Sequence, residues 1–312
     1  MKYPELVDVV EVGPRDGLQL EAFVPTERKL ELINLLSQTG LSRIEATTFA
    51  PPKAVPPFRD AAEVMAGITR NTAVKYMALA PNAVGAQRAL ATNVDVLSFV
   101  LSASESHNQA NVRMSVAESM RRFEAAAKMA RAAGVPVRAY ISTAFGCPFE
   151  GDVPVERLVR IAKTYEDLGA SEVTVCDTTG MANPRQVDNV MVEVMNALRP
   201  GTAVALHFHD TRAAGMANVL AAMQVGVTTF DASIGGLGGC PFAPGATGNI
   251  ATEDLVHLLH EMGIETGVDL DKLVPCARLV RELVGHEVPS HILKAGKRCD
   301  LFDFAAWRAQ HL

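Results

Sequence analysis

Two histidines separated by one residue, His207 and His209, stand out in the run AVALHFHD. In a β-strand, residues i and i+2 project from the same face, about 7 Å apart along the chain. That spacing suits two ligands of one divalent metal ion, although a strand histidine can equally be a buried core residue. Asp16 follows another strand-like run. Two imidazoles, one carboxylate and one neutral oxygen are typical of Mg²⁺, Mn²⁺, Co²⁺ or Zn²⁺ sites.

Further charged residues accompany this candidate metal site. Arg15 precedes Asp16 in EVGPRDGLQ, and the two could form a solvated surface pair. A fixed guanidinium is also the donor one would place against a carbonyl oxygen that becomes an enolate. Glu45 in SRIEATTF could be an ordinary buried partner of Arg15, and Asp177 ends the run EVTVCD. Both interpretations of Arg15 and Glu45 leave room for a role in chemistry.

Residues 235–249, GGLGGCPFAPGATGN, place six glycines and two prolines around Cys240. Such a run is either a linker or a loop whose path only glycine can follow. The thiol is either a packing residue or, close to a metal ion, a thiolate that exchanges a proton with substrate. Cys147 in GCPFEG is a second candidate. The remaining cysteines are expected to be reduced, structural thiols: Cys176, Cys276 and Cys299.

Regular elements must hold these residues in place, and two kinds of run alternate along the chain. Short apolar, β-branched runs recur at intervals of roughly 20–40 residues, with amphipathic helical patterns between them that often end at glycine. The predicted strands span 7–12, 42–49, 74–80, 94–102, 137–143, 172–177, 203–209 and 228–234. A β-then-α unit is therefore repeated eight times.

This alternation predicts an α/β fold of the (β/α)8 TIM-barrel type, because strands that are apolar almost throughout fit a parallel sheet covered by helices. A doubly wound open sheet is the alternative, but GPRDGLQLE does not match the glycine-rich nucleotide loop expected after its first strand. We expect residues 1–267 to form the barrel and 268–312 a C-terminal helical extension packed on it. Active sites of such barrels lie at the carboxyl ends of the strands.

The composition excludes several classes of protein. Of the 312 residues, 48% are apolar and 21% charged, which suits a globular chain with one large core. A formal net charge of −6 argues against a nucleic-acid partner. No window approaches the roughly 18 consecutive apolar residues of a membrane span, and MKYPELVDVV lacks signal-peptide features. We expect a cytoplasmic protein with no membrane partner.

The chain carries five motifs in this order: EVGPRDGLQ, SRIEATTFAPPKAVP, GCPFEG, HFHDT and GGLGGCPFAPGATGNIATEDLV. Together they resemble 3-hydroxy-3-methylglutaryl-CoA lyase, a family of the DRE-TIM metallolyases, which also include isopropylmalate and homocitrate synthases. The resemblance covers essentially residues 5–270, and the glycine run with its cysteine is highly specific within that superfamily.

The resemblance implies roles for individual residues. The implied metal ligands are Asp16, His207, His209 and Asn249. The implied catalytic residues are Arg15, Glu45, Asp177, His207 and Cys240. A divalent ion, Mg²⁺ or Mn²⁺, is the expected cofactor and an acyl-CoA thioester the expected partner. We further expect the chain to form a homo-oligomer of two or more copies.

The implied reaction is a retro-Claisen cleavage of 3-hydroxy-3-methylglutaryl-CoA to acetyl-CoA and acetoacetate. The metal ion would act as a Lewis acid on the tertiary hydroxyl, a base would remove its proton, and Arg15 would stabilise the enolate oxygen. Either Cys240 or His207 would transfer a proton. The sequence does not choose between them.

Two departures from the family pattern concern the substrate. Where family members usually read GLQNE and HDTYGQA, this chain has Leu20 and Arg212. These changes are either neutral or fit a lyase for a related 3-hydroxy-3-alkylglutaryl-CoA or citramalyl-CoA. Lys53 and Arg113 are the candidates for gripping the phosphates of CoA, and the loop 235–249 is expected to open and close as a lid.

Two other classes of function remain as alternatives. A condensing synthase of the same superfamily would generally carry a long C-terminal regulatory region and a different loop in place of GGCPFAPGATGN. A non-catalytic metal-binding scaffold would be expected to lose Arg15, Glu45 or Cys240, and the chain retains all three.

Overall fold

A computed structural model describes residues 3–239, 247–301 and 303–311. Within these residues the chain forms a closed barrel of parallel strands in sequence order, and β8 pairs with β1. The strands are β1 Asp8–Glu11, β2 Arg43–Thr48, β3 Lys75–Leu79, β4 Val96–Ser102, β5 Val137–Ser142, β6 Glu172–Asp177, β7 Ala203–Phe208 and β8 Thr229–Ala232. The predicted (β/α)8 barrel is confirmed, and the open sheet is excluded because β8 closes the ring.

Helices follow the strands and cover the outside of the barrel. They are α1 Thr26–Leu36, α2 Ala61–Gly67, α3 Ala83–Leu90, α4 Glu105–Val112, α5 Val116–Ala132, α6 Val155–Asp167, α7 Pro184–Ala197, α8 Gly215–Gln224, α9 Thr252–Glu261, α10 Leu270–Val284, α11 Ile292–Ala295 and α12 Phe304–His311. The connection after β4 contains two of these helices, α4 and α5. None of the helices in the described part of the chain is long and apolar enough to cross a membrane.

The strands are buried almost throughout, as expected for a parallel barrel under a layer of helices. Because every strand runs in the same direction, their carboxyl ends meet at one mouth of the barrel. Each predicted strand overlaps an observed one: β6 has the predicted bounds, and the other strands are one to three residues shorter than predicted. The shortening moves His209 just past the end of β7, where it pairs in an isolated bridge with Asn249.

The segment after residue 267 begins with α10. This helix packs against α1, α9 and the 3₁₀ turn Ile234–Gly236, and its buried side chains Leu273, Cys276 and Val280 belong to the same hydrophobic core as the barrel helices. The helical character predicted for 268–312 is present in α10, α11 and α12. The division of the chain at residue 267 stays a prediction.

The layer between strands and helices is closely packed around Phe123 of α5. Its ring centroid lies 5.2 Å from that of Phe99 on β4 and 4.5 Å from that of Tyr165 on α6. We expect Phe123→Ala to lower the free energy of unfolding by about 3–5 kcal/mol, the usual loss for a buried aromatic ring. Urea denaturation measures this. Val84→Ala, at a residue 68% exposed on α3, is the control and should change stability by less than about 0.5 kcal/mol.

Candidate metal centre

Three side chains converge at the mouth of the barrel: Asp16, His207 and His209. Each offers a ligand atom, and these atoms lie within 4.8 Å of one another. The Nε2 atoms of both histidines are 3.9 Å from Oδ2 of Asp16. The histidines come from the end of β7, and Asp16 comes from the turn after β1. The structure therefore brings together the three residues whose type and spacing suggested a metal site.

Both imidazoles have a fixed orientation. Nδ1 of His207 donates to Oδ2 of Asp231 at 3.1 Å, and Nδ1 of His209 donates to the carbonyl oxygen of Thr247 at 3.1 Å. A carboxylate and a carbonyl are acceptors, so the hydrogen of each neutral ring is placed on Nδ1. The Nε2 lone pairs are then left facing Asp16, which is the arrangement found for metal-binding histidines.

The charges around Asp16 favour its ionised form. Burial opposes ionisation, but the Arg15 guanidinium, the two imidazoles and the amide of Asn249 outweigh it and lower the pKa of Asp16 to about 2. Burial and the neighbouring His207 together lower the pKa of His209 to about 4. Near neutral pH the centre therefore presents an anionic carboxylate and a neutral His209 imidazole, both of which suit a cation.

Asn249 is the residue expected to offer the neutral oxygen. Its Nδ2 donates to Oδ2 of Asp16 at 2.9 Å and to the carbonyl oxygen of Leu237 at 2.9 Å. Its Oδ1 is buried without a hydrogen-bond partner among the described residues. A buried acceptor without a partner costs free energy, so this oxygen fits a role as a metal ligand.

Arg15 lies between two carboxylates. Its Nε and Nη2 each lie 2.5 Å from Oε2 of Glu45, and its Nη1 donates to Oδ1 of Asp16 at 2.5 Å. Arg15 is only 7% exposed, so the pair with Asp16 is not a solvated surface contact. The pairing of β2 with β3 shifts between Glu45 and Thr47. Such irregularities re-aim side chains next to active sites.

The carboxylate of Asp177, at the end of β6, is hydrogen-bonded to the backbone of the loop that follows. It accepts hydrogen bonds from the backbone N–H groups of Met181 at 2.8 Å and Ala182 at 3.1 Å. Burial raises the pKa of Asp177 to about 6, against the opposing effect of these hydrogen bonds. The contacts hold the loop in shape, and a catalytic role for Asp177 stays a prediction.

The candidate thiols differ in what the structure describes. Cys240, and with it the centre of the proposed lid, lies outside the described residues. Cys147 is buried, and its thiol donates to Oγ of Ser104 at 2.9 Å. Cys176 and Cys276 are buried and Cys299 is exposed, all three as free thiols. These observations fit the structural interpretation of Cys176 and Cys276.

The residues predicted to bear on the substrate lie in the connections between successive strands. Arg212 donates from Nη1 to the carbonyl oxygens of Thr179 and Gly180, so it links the loops after β6 and β7. Leu20 is 47% exposed. Lys53 and Arg113 are exposed, in the segments that follow β2 and α4, and contact with CoA phosphates stays a prediction for both.

Sequence reasoning missed the residues that orient the imidazoles. Asp231 is fully buried on β8, beside His207 in the strand register, and Arg138 of β5 forms an ion pair with it. The available signal was a charged residue inside an otherwise apolar strand. The Thr247 carbonyl left no such signal, because every residue has one.

A closed (β/α)8 barrel with two imidazoles, a carboxylate and an arginine at its mouth defines a barrel enzyme with a candidate site for a divalent metal ion. The chain belongs to the HMGL-like family, whose model matches residues 6–280. This family implies a divalent metal ion, and the free Nε2 atoms, the Asp16 carboxylate and the unpartnered oxygen of Asn249 fit one.

Known proteins of the family are similar to this chain over most of their length. The chain is 47% identical to hydroxymethylglutaryl-CoA lyase of Bacillus subtilis, with 95% of this chain and 99% of that protein aligned. It is 43% identical to the cytoplasmic 3-hydroxy-3-methylglutaryl-CoA lyase of Rattus norvegicus, over 96% and 87% of the two chains. A solved structure of an HMG-CoA lyase from Acinetobacter baumannii, in complex with coenzyme A and 3-methylmalate, has a TM-score of 0.93 at 47% identity, over 97% of this chain and 99% of that one.

Gly238 permits the close approach of the last loop to this site. Its φ is +122°, and a Cβ atom there would lie 2.5 Å from Nδ2 of Asn249 and 3.4 Å from Oδ2 of Asp16. We expect Gly238→Ala to displace Asn249 and to raise the Kd for Mn²⁺, measured by titration calorimetry, about tenfold or more. Gly201→Ala is the matched control: Gly201 also has a positive φ, +98°, but a Cβ atom meets nothing within 4 Å. Equal Kd values for the two variants would contradict the requirement for glycine at position 238 in metal binding.

Glu11 fixes the backbone beneath the site. Its Oε1 accepts from the N–H groups of Gly13 at 2.6 Å and Ile234 at 2.9 Å, and its Oε2 accepts from Oγ1 of Thr252 at 2.7 Å. Burial raises the pKa of Glu11 to about 8, against the lowering effect of these hydrogen bonds. The folded state therefore holds a proton that the unfolded chain releases above about pH 4.5.

This proton predicts a direction for the pH dependence of stability. Because the folded pKa is raised, the contribution of Glu11 is fully present below about pH 4.5 and is lost as the pH rises towards 8. Glu11→Gln copies the protonated carboxyl and cannot ionise. Between pH 5 and pH 9 we expect the urea midpoint of Glu11→Gln to fall less than that of the unchanged protein. Parallel profiles would show that Glu11 is not protonated in the folded state.

Proposed function

We propose that this chain cleaves 3-hydroxy-3-methylglutaryl-CoA to acetyl-CoA and acetoacetate with Mg²⁺ or Mn²⁺ as cofactor. The observation that carries the proposal is the convergence of two imidazole Nε2 atoms on the carboxylate of Asp16, which Arg15 also contacts. The solved structure of the relative from Acinetobacter baumannii is in complex with coenzyme A and 3-methylmalate, a branched hydroxydicarboxylate. That complex supports an acyl-CoA thioester as the substrate of this chain.

Asp16, His207, His209 and Asn249 would hold the metal ion. A bound divalent ion supplies Lewis acidity, which lowers the pKa of a substrate hydroxyl. Two sets of contacts orient these ligands for a metal ion: the acceptors at Nδ1 keep the hydrogen of each imidazole on that atom, and Arg15 pairs with Asp16. The ligands are therefore oriented before the ion arrives, and little reorganisation is needed.

The cleavage begins with removal of a proton and breaks one C–C bond. A base accepts the proton of the tertiary hydroxyl, an electron pair of that oxygen forms the C=O bond of the ketone, the adjacent C–C bond breaks, and its electron pair forms the enolate of acetyl-CoA. Contacts with Glu45 and Asp16 use three of the five N–H donors of Arg15. The two others can stabilise the enolate oxygen, where the negative charge develops.

The enolate carbon must then take up a proton, and we assign that step to Cys240 rather than to His207. Nδ1 of His207 is hydrogen-bonded to Asp231, and Nε2 of His207 would bind the metal ion. The imidazole therefore has no free nitrogen that could carry a proton to the enolate. Cys240 belongs to the loop whose flanking residues Gly238 and Asn249 border Asp16. That position supports a thiol within reach of the substrate.

The cellular setting belongs to the same proposal. We place the enzyme in the cytoplasm, where the names of the rat and mouse relatives place those proteins, and we expect a homo-oligomer of two or more chains.

Release of acetyl-CoA from a panel of 3-hydroxyacyl-CoA thioesters, with Mg²⁺, Mn²⁺ or a chelator, tests the activity. We expect the fastest metal-dependent release from 3-hydroxy-3-methylglutaryl-CoA and none from Asp16→Asn. Cys240→Ala should lower kcat by about 10²–10⁴-fold at unchanged Mn²⁺ affinity, because a proton donor is lost and no ligand is.

Each outcome has a distinct meaning. No release from any thioester, with or without metal, would end the lyase proposal. Faster cleavage of a citramalyl or longer 3-alkyl thioester would keep the reaction and change the substrate. Full activity of Cys240→Ala would remove the thiol from the mechanism.

A further inference from the structure

We propose that Arg138 is a positioning residue for the metal centre: it fixes the two side chains that hold the His207 ring, Asp231 and Tyr140. The inference rests on the proposed function, since it takes His207 as a metal ligand. Arg138 is buried inside the barrel and takes part in no step of the proposed cleavage, so its role would be to position other side chains.

Arg138 is the largest fully buried side chain among the described residues, 1% exposed on β5. Its three nitrogens have different partners. Nη2 forms an ion pair with Oδ1 of Asp231 at 2.8 Å, Nη1 donates to the hydroxyl of Tyr140 at 2.9 Å, and Nε forms an ion pair with Glu172. A planar guanidinium can hold several partners in fixed directions at once, which an ammonium group cannot.

Two of these partners also contact His207. Asp231 faces Arg138 with Oδ1, in an ion pair, and accepts from Nδ1 of His207 with Oδ2, so each oxygen of the carboxylate has a partner and rotation of the carboxylate is opposed. The Tyr140 ring meets the His207 ring edge-on, with centroids 6.5 Å apart and planes at 84°. Arg138 therefore limits both the tilt and the rotation of the imidazole, and with them the direction of Nε2.

The third partner of Arg138 leads away from the metal centre. Glu172 also accepts from Nη1 of Arg43 at 2.7 Å, and Arg43 pairs with the partly exposed Asp8. Arg43 thus shares the carboxylate of Glu172 with Arg138, and within the described part of the chain its hydrogen bonds and ion pairs go to Asp8 and Glu172. It provides a control that disturbs the same chain of ion pairs without touching the supports of the imidazole.

A purely structural arginine would make a different prediction. Removing one partner of a buried ion pair destabilises a protein wherever the pair lies, so loss of stability alone does not distinguish the two roles. Support of a metal-binding histidine through its hydrogen-bond partner changes metal affinity, by about 10–100-fold in other proteins. The discriminating quantity is therefore the Kd for Mn²⁺.

The experiment is calorimetric titration of Mn²⁺ into the metal-free full-length protein and its Arg138→Met and Arg43→Met variants, with melting temperatures recorded alongside. We expect both variants to melt at lower temperature. Only Arg138→Met should bind Mn²⁺ about tenfold or more weakly, while the Kd of Arg43→Met stays within about twofold. Unchanged Kd in a folded Arg138→Met protein would overturn the inference, as would equal losses in both variants.

A double-mutant cycle tests whether Arg138 acts through Asp231. Asp231→Asn keeps the shape of the side chain and places an amide against Nδ1 of His207, so it should weaken Mn²⁺ binding by itself. If Arg138 works through this carboxylate, the Kd of the double variant for Mn²⁺ should lie within about twofold of the larger of the two single-variant Kd values. Additive losses would show independent roles and contradict the inference.

Arg138→Lys provides the same test if Arg138→Met does not fold. Lysine keeps the charge but cannot reach Asp231, Tyr140 and Glu172 together, so we expect several-fold weaker Mn²⁺ binding. A Kd equal to that of the unchanged protein would overturn the inference. If the unchanged protein itself bound no Mn²⁺, the proposed metal centre would fail first, and that result is separate from failure of Arg138 alone.

Discussion

The constraint on which the metal centre depends is the tautomer of two imidazoles. His207 and His209 can offer Nε2 to one cation only while Nδ1 carries the hydrogen, and each Nδ1 faces an oxygen that accepts it. Those acceptors come from the last strand and from the loop after it. The imidazoles of His207 and His209 therefore reach their metal-binding orientation only when β8 closes the barrel and places these acceptors.

Electrostatic interactions connect the other charged residues at the mouth of the barrel to this centre. Asp16 is surrounded by Arg15, two imidazoles and the amide of Asn249, and this environment keeps it ionised despite its burial. Arg15 in turn is held by Glu45, so a guanidinium lies fixed beside the carboxylate that would bind the metal ion. The same contacts serve structure and chemistry: they stabilise buried charges, and they place a donor where an enolate would form.

Much of this arrangement follows from local sequence patterns. The period of two in His207-Phe208-His209 placed both imidazoles on one face, and the alternation of strand and helix patterns placed that face in a barrel. A charged residue in an apolar strand could single out Asp231, but its pairing with His207 and Arg138 was beyond such reasoning, because the three residues lie on different strands and meet only in the register of the closed barrel. Arg212 was interpreted as either a neutral or a substrate-related change, and its contacts with two backbone carbonyls, which join the loops after β6 and β7, are revealed only by the folded chain.

The most direct measurement is the position of Mn²⁺ in crystals of this protein, located by anomalous X-ray diffraction. We predict one strong peak within about 2.0–2.3 Å of Nε2 of both His207 and His209 and of Oδ2 of Asp16, with Oδ1 of Asn249 turned towards it. A peak elsewhere in the barrel, or bonding through Nδ1 of either histidine, would contradict the central claim that the barrel orients these imidazoles for a single cation.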